Sequence, residues 1–167
     1  MKTLVAGVGN IFLSDDGFGV EVVRQLQTRE LPEGVELVDV GIRGIHLAYQ
    51  LLEGYDLLVL IDTVSRGEPP GTLMLIEPDP VVSVAQRHQV VIGAMPLLDV
   101  HGMEPGSMLG IIDELGARVG RILVVGCQPA DLSDGIGLTE SVSAAVPGAV
   151  AMVLDAVGVR TEREELR

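Results

Sequence analysis

Aromatic residues and cysteine are scarce in this chain. Aromatic side chains make up 2% of the 167 residues and none is tryptophan, so the core must consist of aliphatic side chains. Branched aliphatic residues at this density are typical of a parallel β-sheet that is covered by helices on both faces. Cys127 is the only cysteine, which excludes an intrachain disulfide and a zinc site built on several cysteines.

Basic residues are also few. The chain has 24 acidic residues against 11 Lys and Arg, for a net charge of −13. Such a surface repels nucleic acid and anionic membranes, but it attracts metal cations and basic protein partners. No apolar run reaches the roughly 18 residues that span a membrane, and the start of the chain lacks the form of a signal peptide. We therefore expect a soluble, cytoplasmic protein that binds neither nucleic acid nor membrane.

The hydrophobic periodicity predicts alternating strands and helices. The run 57–61 is wholly apolar, which is typical of a central buried strand. The element order β-α-β-α-β-β-α-β-α predicts a three-layer α/β/α fold with a mainly parallel, twisted sheet of about five strands. We expect a single domain over residues 1–158, followed by a charged tail at 159–167. Strands are predicted at 3–7, 35–40, 57–61, 72–77 and 121–126, and helices from near 17, 44, 105 and 139.

Carboxylates follow two of the predicted strands. Asp15 and Asp16 lie in a glycine-rich loop after the first strand, and Asp62 directly follows the apolar run of the third. Because the first and third strands of a doubly wound sheet are commonly neighbours, we expect these side chains to lie close together. Two carboxylates at one site need a cation or a shared proton to offset their repulsion. Ser14 or Asp15 is also predicted to cap the helix that follows the loop.

A histidine can complete a metal site at this edge. His101 immediately precedes a predicted helix, whereas His46 and His88 are interpreted as structural or exposed. Two carboxylates with one imidazole suit a divalent transition ion such as nickel or zinc and leave positions open for a substrate.

Other kinds of site fit less well. The segment 7–10 lacks the third glycine of a dinucleotide fingerprint, and the chain has no P-loop motif. A receiver-like signalling domain would need a lysine after the fifth strand, but the only lysine is Lys2. Cys127 has no evident partner base, so we interpret it as a small core residue. A non-proteolytic metal-binding protein is an alternative that the sequence does not exclude, because metal ligands alone do not prove hydrolysis.

Several short motifs occur in a characteristic order along nearly the whole chain. They are Gly7-x-Gly9-Asn10-x-x-x-x-Asp15-Asp16-Gly17-x-Gly19, Asp39-x-Gly41, Ile61-Asp62, Asp99-Val100-His101-Gly102 and Gly137-Leu138-Thr139. With these motifs the chain resembles the hydrogenase maturation endopeptidases. Members of that family trim the carboxyl terminus of the large subunit of nickel-iron hydrogenases.

The resemblance implies an activity, a metal and a set of residues. The activity is that of an aspartyl-type endopeptidase that cleaves the nickel-loaded large-subunit precursor after a His or Arg near the nickel-binding cysteines. The implied nickel ligands are Asp16, where some relatives have Glu, together with Asp62 and His101. The nickel ion is expected to arrive with the substrate, and another divalent cation can take its place in vitro. Asp16, Asp62 and Asp39 are the implied catalytic residues, and we expect a monomer.

Two mechanisms are consistent with these residues. The metal ion can polarise the scissile carbonyl or lower the pKa of a bound water. Alternatively, a carboxylate acts as general base and the nickel only docks the substrate.

Overall fold

The computed structural model describes residues 1–78 and 116–159. Predictions that concern the segment between them, including the helix from 105 and the residues His88 and His101, lie outside the described residues. The strands are β1 (Thr3–Val8), β2 (Val35–Gly41), β3 (Tyr55–Thr63), β4 (Leu73–Ile76) and β5 (Val119–Cys127). The helices are α1 (Phe18–Leu26), α2 (Gly44–Leu51) and α3 (Glu140–Ala156), with a one-turn 3-10 helix at Ser14–Gly17.

The strands form one mainly parallel sheet in the order β2-β1-β3-β5-β4. β1, β2, β3 and β5 pair in parallel, and β4 runs antiparallel to β5 at the edge. β1 therefore lies between β2 and β3, which confirms that the first and third strands are neighbours. The α/β fold with a mainly parallel five-stranded sheet is likewise confirmed.

β3 is buried on both faces, which explains its unbroken apolar run. Val59 and Ile61 belong to the core cluster that contains residues of α1 and α3. Leu58 and Leu60 belong to a second cluster, which includes Leu47 and Leu51 of α2. Successive strand residues point to opposite faces, so a strand covered on both sides has positions for polar residues only near its two ends.

α1 packs very closely on the carboxyl ends of β1 and β3. A Cβ atom at Gly19 would collide with the backbone carbonyl oxygens of Val8 and Ile61. Glycine at this position therefore allows the first turn of α1, and the loop before it, to lie directly against the strand that carries Asp62.

Some element bounds differ from the predicted ones. β3 extends to Thr63, so Asp62 lies within the strand. Val159, predicted to begin the tail, donates its backbone N–H to the Leu154 carbonyl at 2.9 Å and packs against the core. The division into a single domain and a charged tail otherwise stays a prediction. None of the helices in ranges 1–78 and 116–159 has the length and apolar character to cross a membrane.

Candidate active site

Asp16 is held at the carboxyl end of the sheet by the loop that follows β1. One of its carboxylate oxygens, Oδ2, accepts the backbone N–H of Asn10 at 2.7 Å. Gly9 has a φ of +137°, and a Cβ there would collide with the carbonyl oxygen of Asp16. A side chain at position 9 would therefore displace the turn, so this glycine fixes the position of Asp16 relative to β1.

Asp62 lies beside this loop, near the end of β3. Its Oδ1 accepts the backbone N–H of Thr63 at 2.7 Å. The pKa of Asp62 is raised to about 8, mainly by burial and to a smaller extent by the negative charge of Asp16, while hydrogen bonds from Thr63 act in the opposite direction. Asp16 and Asp62 share one local environment, because Thr63 donates a hydrogen bond to each of them, as expected from the neighbouring strands.

Thr63 links the two carboxylates and was not identified from the sequence. Its hydroxyl donates to Asp16 Oδ1 at 3.4 Å, and its backbone N–H donates to Asp62. The sequence feature that could have identified Thr63 is a hydroxyl residue directly after the aspartate that follows a buried apolar run. Such a residue is well placed to donate to carboxylates at the same edge.

Asp39 lies at the same edge but further along the sheet. It pairs with Gly7, which in turn pairs with Ile61, so Asp39 and Ile61 are two strand spacings, or about 10 Å, apart. By alternation Asp39 shares a face of the sheet with Leu37, whereas Asp62 shares the opposite face with Leu60. Thr63 donates to both Asp16 and Asp62, and among the described residues Asp39 does not join them in a group that could hold a metal ion. The catalytic role of Asp39 stays a prediction.

The third predicted ligand, His101, lies outside the described residues. Residues 1–78 and 116–159 contain no group of three or more His, Cys, Asp or Glu side chains that could hold a metal ion by themselves. His46 is exposed on α2, which confirms the interpretation of that histidine. Within the part of the chain that is described, two of the three predicted ligands are thus adjacent.

The predicted capping role of Ser14 and Asp15 is wrong. α1 begins after Gly17 and has no side-chain cap. Asp15 is fully buried and points instead to the segment after β5, where Oδ2 accepts the N–H groups of Ala130 and Asp131 at 2.8 and 2.9 Å. The reason is that a buried carboxylate needs hydrogen-bond donors, and these two N–H groups and that of Thr139 supply them, so Asp15 is joined to the distant loop and not to α1.

Thr139 completes the set of donors to Asp15. Its backbone N–H donates to Oδ1 at 2.7 Å, and its hydroxyl lies 2.9 and 3.0 Å from the two carboxylate oxygens. The Ser14 hydroxyl similarly donates to the Ser133 carbonyl at 2.9 Å. Ser14 and Asp15 therefore fasten the loop that carries Asp16 to the loop between β5 and α3.

Cys127 is a core residue, as interpreted from the sequence. Its side chain is fully buried at the end of β5. Burial, with a further contribution from the charge of Asp15, raises the pKa of the Cys127 thiol to about 11. A thiol in this state is protonated at neutral pH and is a poor nucleophile.

The arrangement supports two kinds of chemistry. Adjacent carboxylates attract a divalent cation, which relieves their mutual repulsion. A carboxyl group with a pKa of about 8 can also accept or donate a proton near neutral pH, as a general base or acid must.

Comparisons with known proteins agree with this fold. The model of the hydrogenase maturation protease family, HycI, matches residues 20–156. The hydrogenase 2 maturation protease of Escherichia coli is 30% identical over 158 residues, which cover 94% of this chain and 91% of that protein. The coenzyme F420 hydrogenase subunit delta of Methanothermobacter thermautotrophicus is 31% identical over 166 residues, covering 95% of this chain and 96% of that protein.

Solved structures show the same relationship. The hydrogenase maturating endopeptidase HybD from E. coli superposes with a TM-score of 0.71 and 33% identity, over 94% of this chain and 92% of that one. A hydrogenase 2 maturation peptidase from a thaumarchaeote has a TM-score of 0.71 and 32% identity, over 96% of this chain and 100% of that one. These matches favour a peptidase over a signalling domain or a metal carrier. The chain belongs to the hydrogenase maturation protease family and is an endopeptidase of that type.

Proposed function

We propose that this endopeptidase removes a short carboxyl-terminal peptide from the large-subunit precursor of a nickel-iron hydrogenase after nickel has been inserted. In this proposal the nickel ion belongs to the substrate and marks a precursor that is ready for cleavage. Asp16, Asp62 and His101 recognise that ion, and the protein acts as a cytoplasmic monomer.

The observation that carries the proposal is the pairing of Asp16 and Asp62 at the carboxyl edge of the sheet. Each carboxylate is held by a backbone N–H group, from Asn10 and Thr63 respectively, so the pair is oriented before any substrate arrives. Their repulsion contributes to the raised pKa of Asp62, and a divalent cation would remove that cost. Oxygen donors supplemented by one imidazole suit a borderline ion such as nickel.

The chain's own residues also provide a group for proton transfer. Asp62 has a pKa of about 8, so a proton can be taken up or released near neutral pH. Nickel in the substrate would lower that pKa, because a nearby cation favours the ionised carboxylate. The proposed arrival of the metal with the substrate would thus convert Asp62 from a largely protonated group into a carboxylate that can act as ligand or base.

The test is cleavage of a purified precursor, followed by intact-protein mass spectrometry. The nickel-loaded precursor should lose the mass of a short carboxyl-terminal peptide, whereas the nickel-free precursor should not. Asp16→Asn, Asp62→Asn and His101→Ala should each lower the cleavage rate by at least about 100-fold, because each removes a donor to the ion. Asp56→Asn is the matched control, since Asp56 lies on β3 at the opposite end and accepts the N–H of Lys2.

Different failures would contradict different parts of the proposal. If no cognate precursor loses a peptide, the substrate assignment is wrong. If nickel-free and nickel-loaded precursors are cleaved equally fast, nickel is not the recognition mark. If His101→Ala leaves cleavage unchanged, the third ligand is another residue, and His88 becomes the candidate.

A further inference from the structure

Four large apolar side chains are exposed on two loops next to the candidate active site. Ile136 is 82% exposed and Phe12 is 61% exposed, and Ile11 and Leu132 are each 44% exposed. We refer to Ile11, Phe12, Leu132 and Ile136 as the apolar patch. Single exposed apolar residues are common, but a group of them on adjoining segments is typical of an interaction surface.

Backbone hydrogen bonds place these side chains together. The Phe12 carbonyl accepts the N–H of Gly135 at 2.9 Å, and the Ser14 N–H donates to the Gly135 carbonyl at 2.9 Å. Leu13 and Gly135 form an isolated parallel bridge. Ile11 and Ile136 also line a common surface pocket, whose wall includes Leu138 and Val146.

Part of the apolar patch, Ile11 and Phe12, lies on the loop that carries Asp16. The carbonyl of Leu13, the residue after Phe12, accepts the N–H of Asp16 at 3.1 Å. The buried carboxylate of Asp15 joins the loop after β1 to the loop between β5 and α3, because it accepts the backbone N–H groups of Ala130, Asp131 and Thr139. The patch is therefore pre-organised, and a partner that covers it need not order the two loops first.

The charges around the patch indicate the chemistry of its partner. Both ionisable residues between Gln128 and Thr139, Asp131 and Asp134, are acidic and exposed. The segment from Gly9 to Asp16 likewise contains no basic residue. The pocket wall also contains Arg24, but its guanidinium is paired with the carboxylate of Glu21 at 3.2 Å, so the two charges offset each other. A partner segment with apolar side chains flanked by Lys or Arg is complementary to this surface.

We propose that the apolar patch is the docking surface for an apolar, basic-flanked segment of the hydrogenase precursor, lying outside the peptide bond that is cleaved. This proposal rests on the proposed function, because it takes the precursor as the substrate. Docking here places the precursor beside Asp16, and the patch contributes to substrate affinity without taking part in the chemical step.

The experiment compares binding and cleavage for the double variant Phe12→Ser, Ile136→Ser. The affinity for purified nickel-loaded precursor is measured by isothermal titration calorimetry, and kcat and KM for cleavage are measured separately. We expect the Kd and KM to rise about tenfold or more, as the loss of two large apolar contacts implies, with kcat changed less than about twofold. Leu75→Ser is the matched control, because Leu75 is 55% exposed on the edge strand β4 and lies outside the patch.

The readouts separate this proposal from the proposed function. If the wild-type protein binds the precursor through the patch but does not cleave it, the proposed function fails and the docking surface stands. If the double variant keeps its thermal unfolding temperature and also keeps the wild-type Kd and KM, the docking surface is wrong. Light scattering provides the remaining test: a wild-type dimer that the double variant converts to a monomer would assign the patch to a second copy of this chain and overturn the proposal.

Discussion

The carboxylate of Asp15 accepts the backbone N–H of Thr139 at 2.7 Å, although the two residues are 124 positions apart in the sequence. This bond joins the turn after β1 to the start of α3. Because Asp15 is fully buried and also accepts two loop N–H groups, its removal would leave several donors without an acceptor. Asp15 directly precedes Asp16 in the sequence. The hydrogen bonds of the Asp15 carboxylate therefore position this candidate active-site residue as well as stabilising the fold.

We predict that Asp15→Ala lowers the free energy of unfolding by about 3 kcal/mol or more, because it removes three backbone hydrogen bonds to a charged group, each worth about 1.5–3 kcal/mol. Urea denaturation of the metal-free protein measures the change. Thr139→Ser retains the hydroxyl and the backbone N–H, and it should cost less than about 1 kcal/mol. A loss for Asp15→Ala that is no larger than the loss for Thr139→Ser would contradict the clamping role of Asp15.

Stability should also depend on pH through Asp62. Its pKa is raised from 3.8 to about 8 in the folded protein, so the fold binds a proton that the unfolded chain releases. This stabilising contribution is complete below about pH 4 and is lost as the pH rises through about 8. The unfolding free energy of the wild type minus that of Asp62→Asn should therefore decrease as the pH rises from about 5 to about 8.5.

The measurement is urea denaturation of both proteins in the presence of a chelator, at several pH values. Asp62→Asn is neutral at every pH, so it provides the reference that cancels the titration of the other groups. A difference that stays constant with pH would show that the carboxyl group of Asp62 ionises normally in the fold.

The pKa of Asp62 should respond to Asp16 and not to Asp39. Asp16→Asn removes the neighbouring charge that raises this pKa, so the NMR titration of the Asp62 Cγ should move to lower pH. It should stay above 3.8, because burial is the larger cause. Asp39→Asn is the control, since Asp39 lies two strands away from β3. Equal shifts for the two variants would contradict the pairing of Asp16 with Asp62.

Much of the fold could be predicted because its signals are local. The apolar run of β3 and the helical spacing of α3 each reflect which faces are buried, and the parallel connections then restrict the topology. The extension of β3 to Thr63 was not predictable in the same way. Asp62 and Thr63 are polar, and they continue the strand because β5 pairs with them through Gly126 and Cys127.

The candidate site was only partly predictable for a related reason. The pairing of Asp16 with Asp62 follows from the strand order, which the sequence pattern indicates. The contact between Asp15 and Thr139 depends on how two distant loops meet, and no local pattern encodes that meeting. Asp15 therefore resembled a helix cap, since an aspartate before a helix usually is one. The role of Thr63 depends on a similar long-range contact with Asp16.

We predict that the thiol of Cys127 takes no part in cleavage. Its thiol is fully buried, and its pKa is raised to about 11 by burial and by the charge of Asp15. It should therefore react with iodoacetamide only when the protein is unfolded in urea, where its pKa returns to an ordinary value.

Cys127→Ser should lower the free energy of unfolding by about 1–2 kcal/mol, because it buries a more polar hydroxyl, while the folded variant cleaves the precursor at close to the wild-type rate. Mass spectrometry of the alkylated protein and of the cleaved precursor measures both effects. If Cys127→Ser abolishes cleavage while the circular dichroism spectrum is unchanged, the thiol takes part in the reaction and the carboxylate site is incomplete without it.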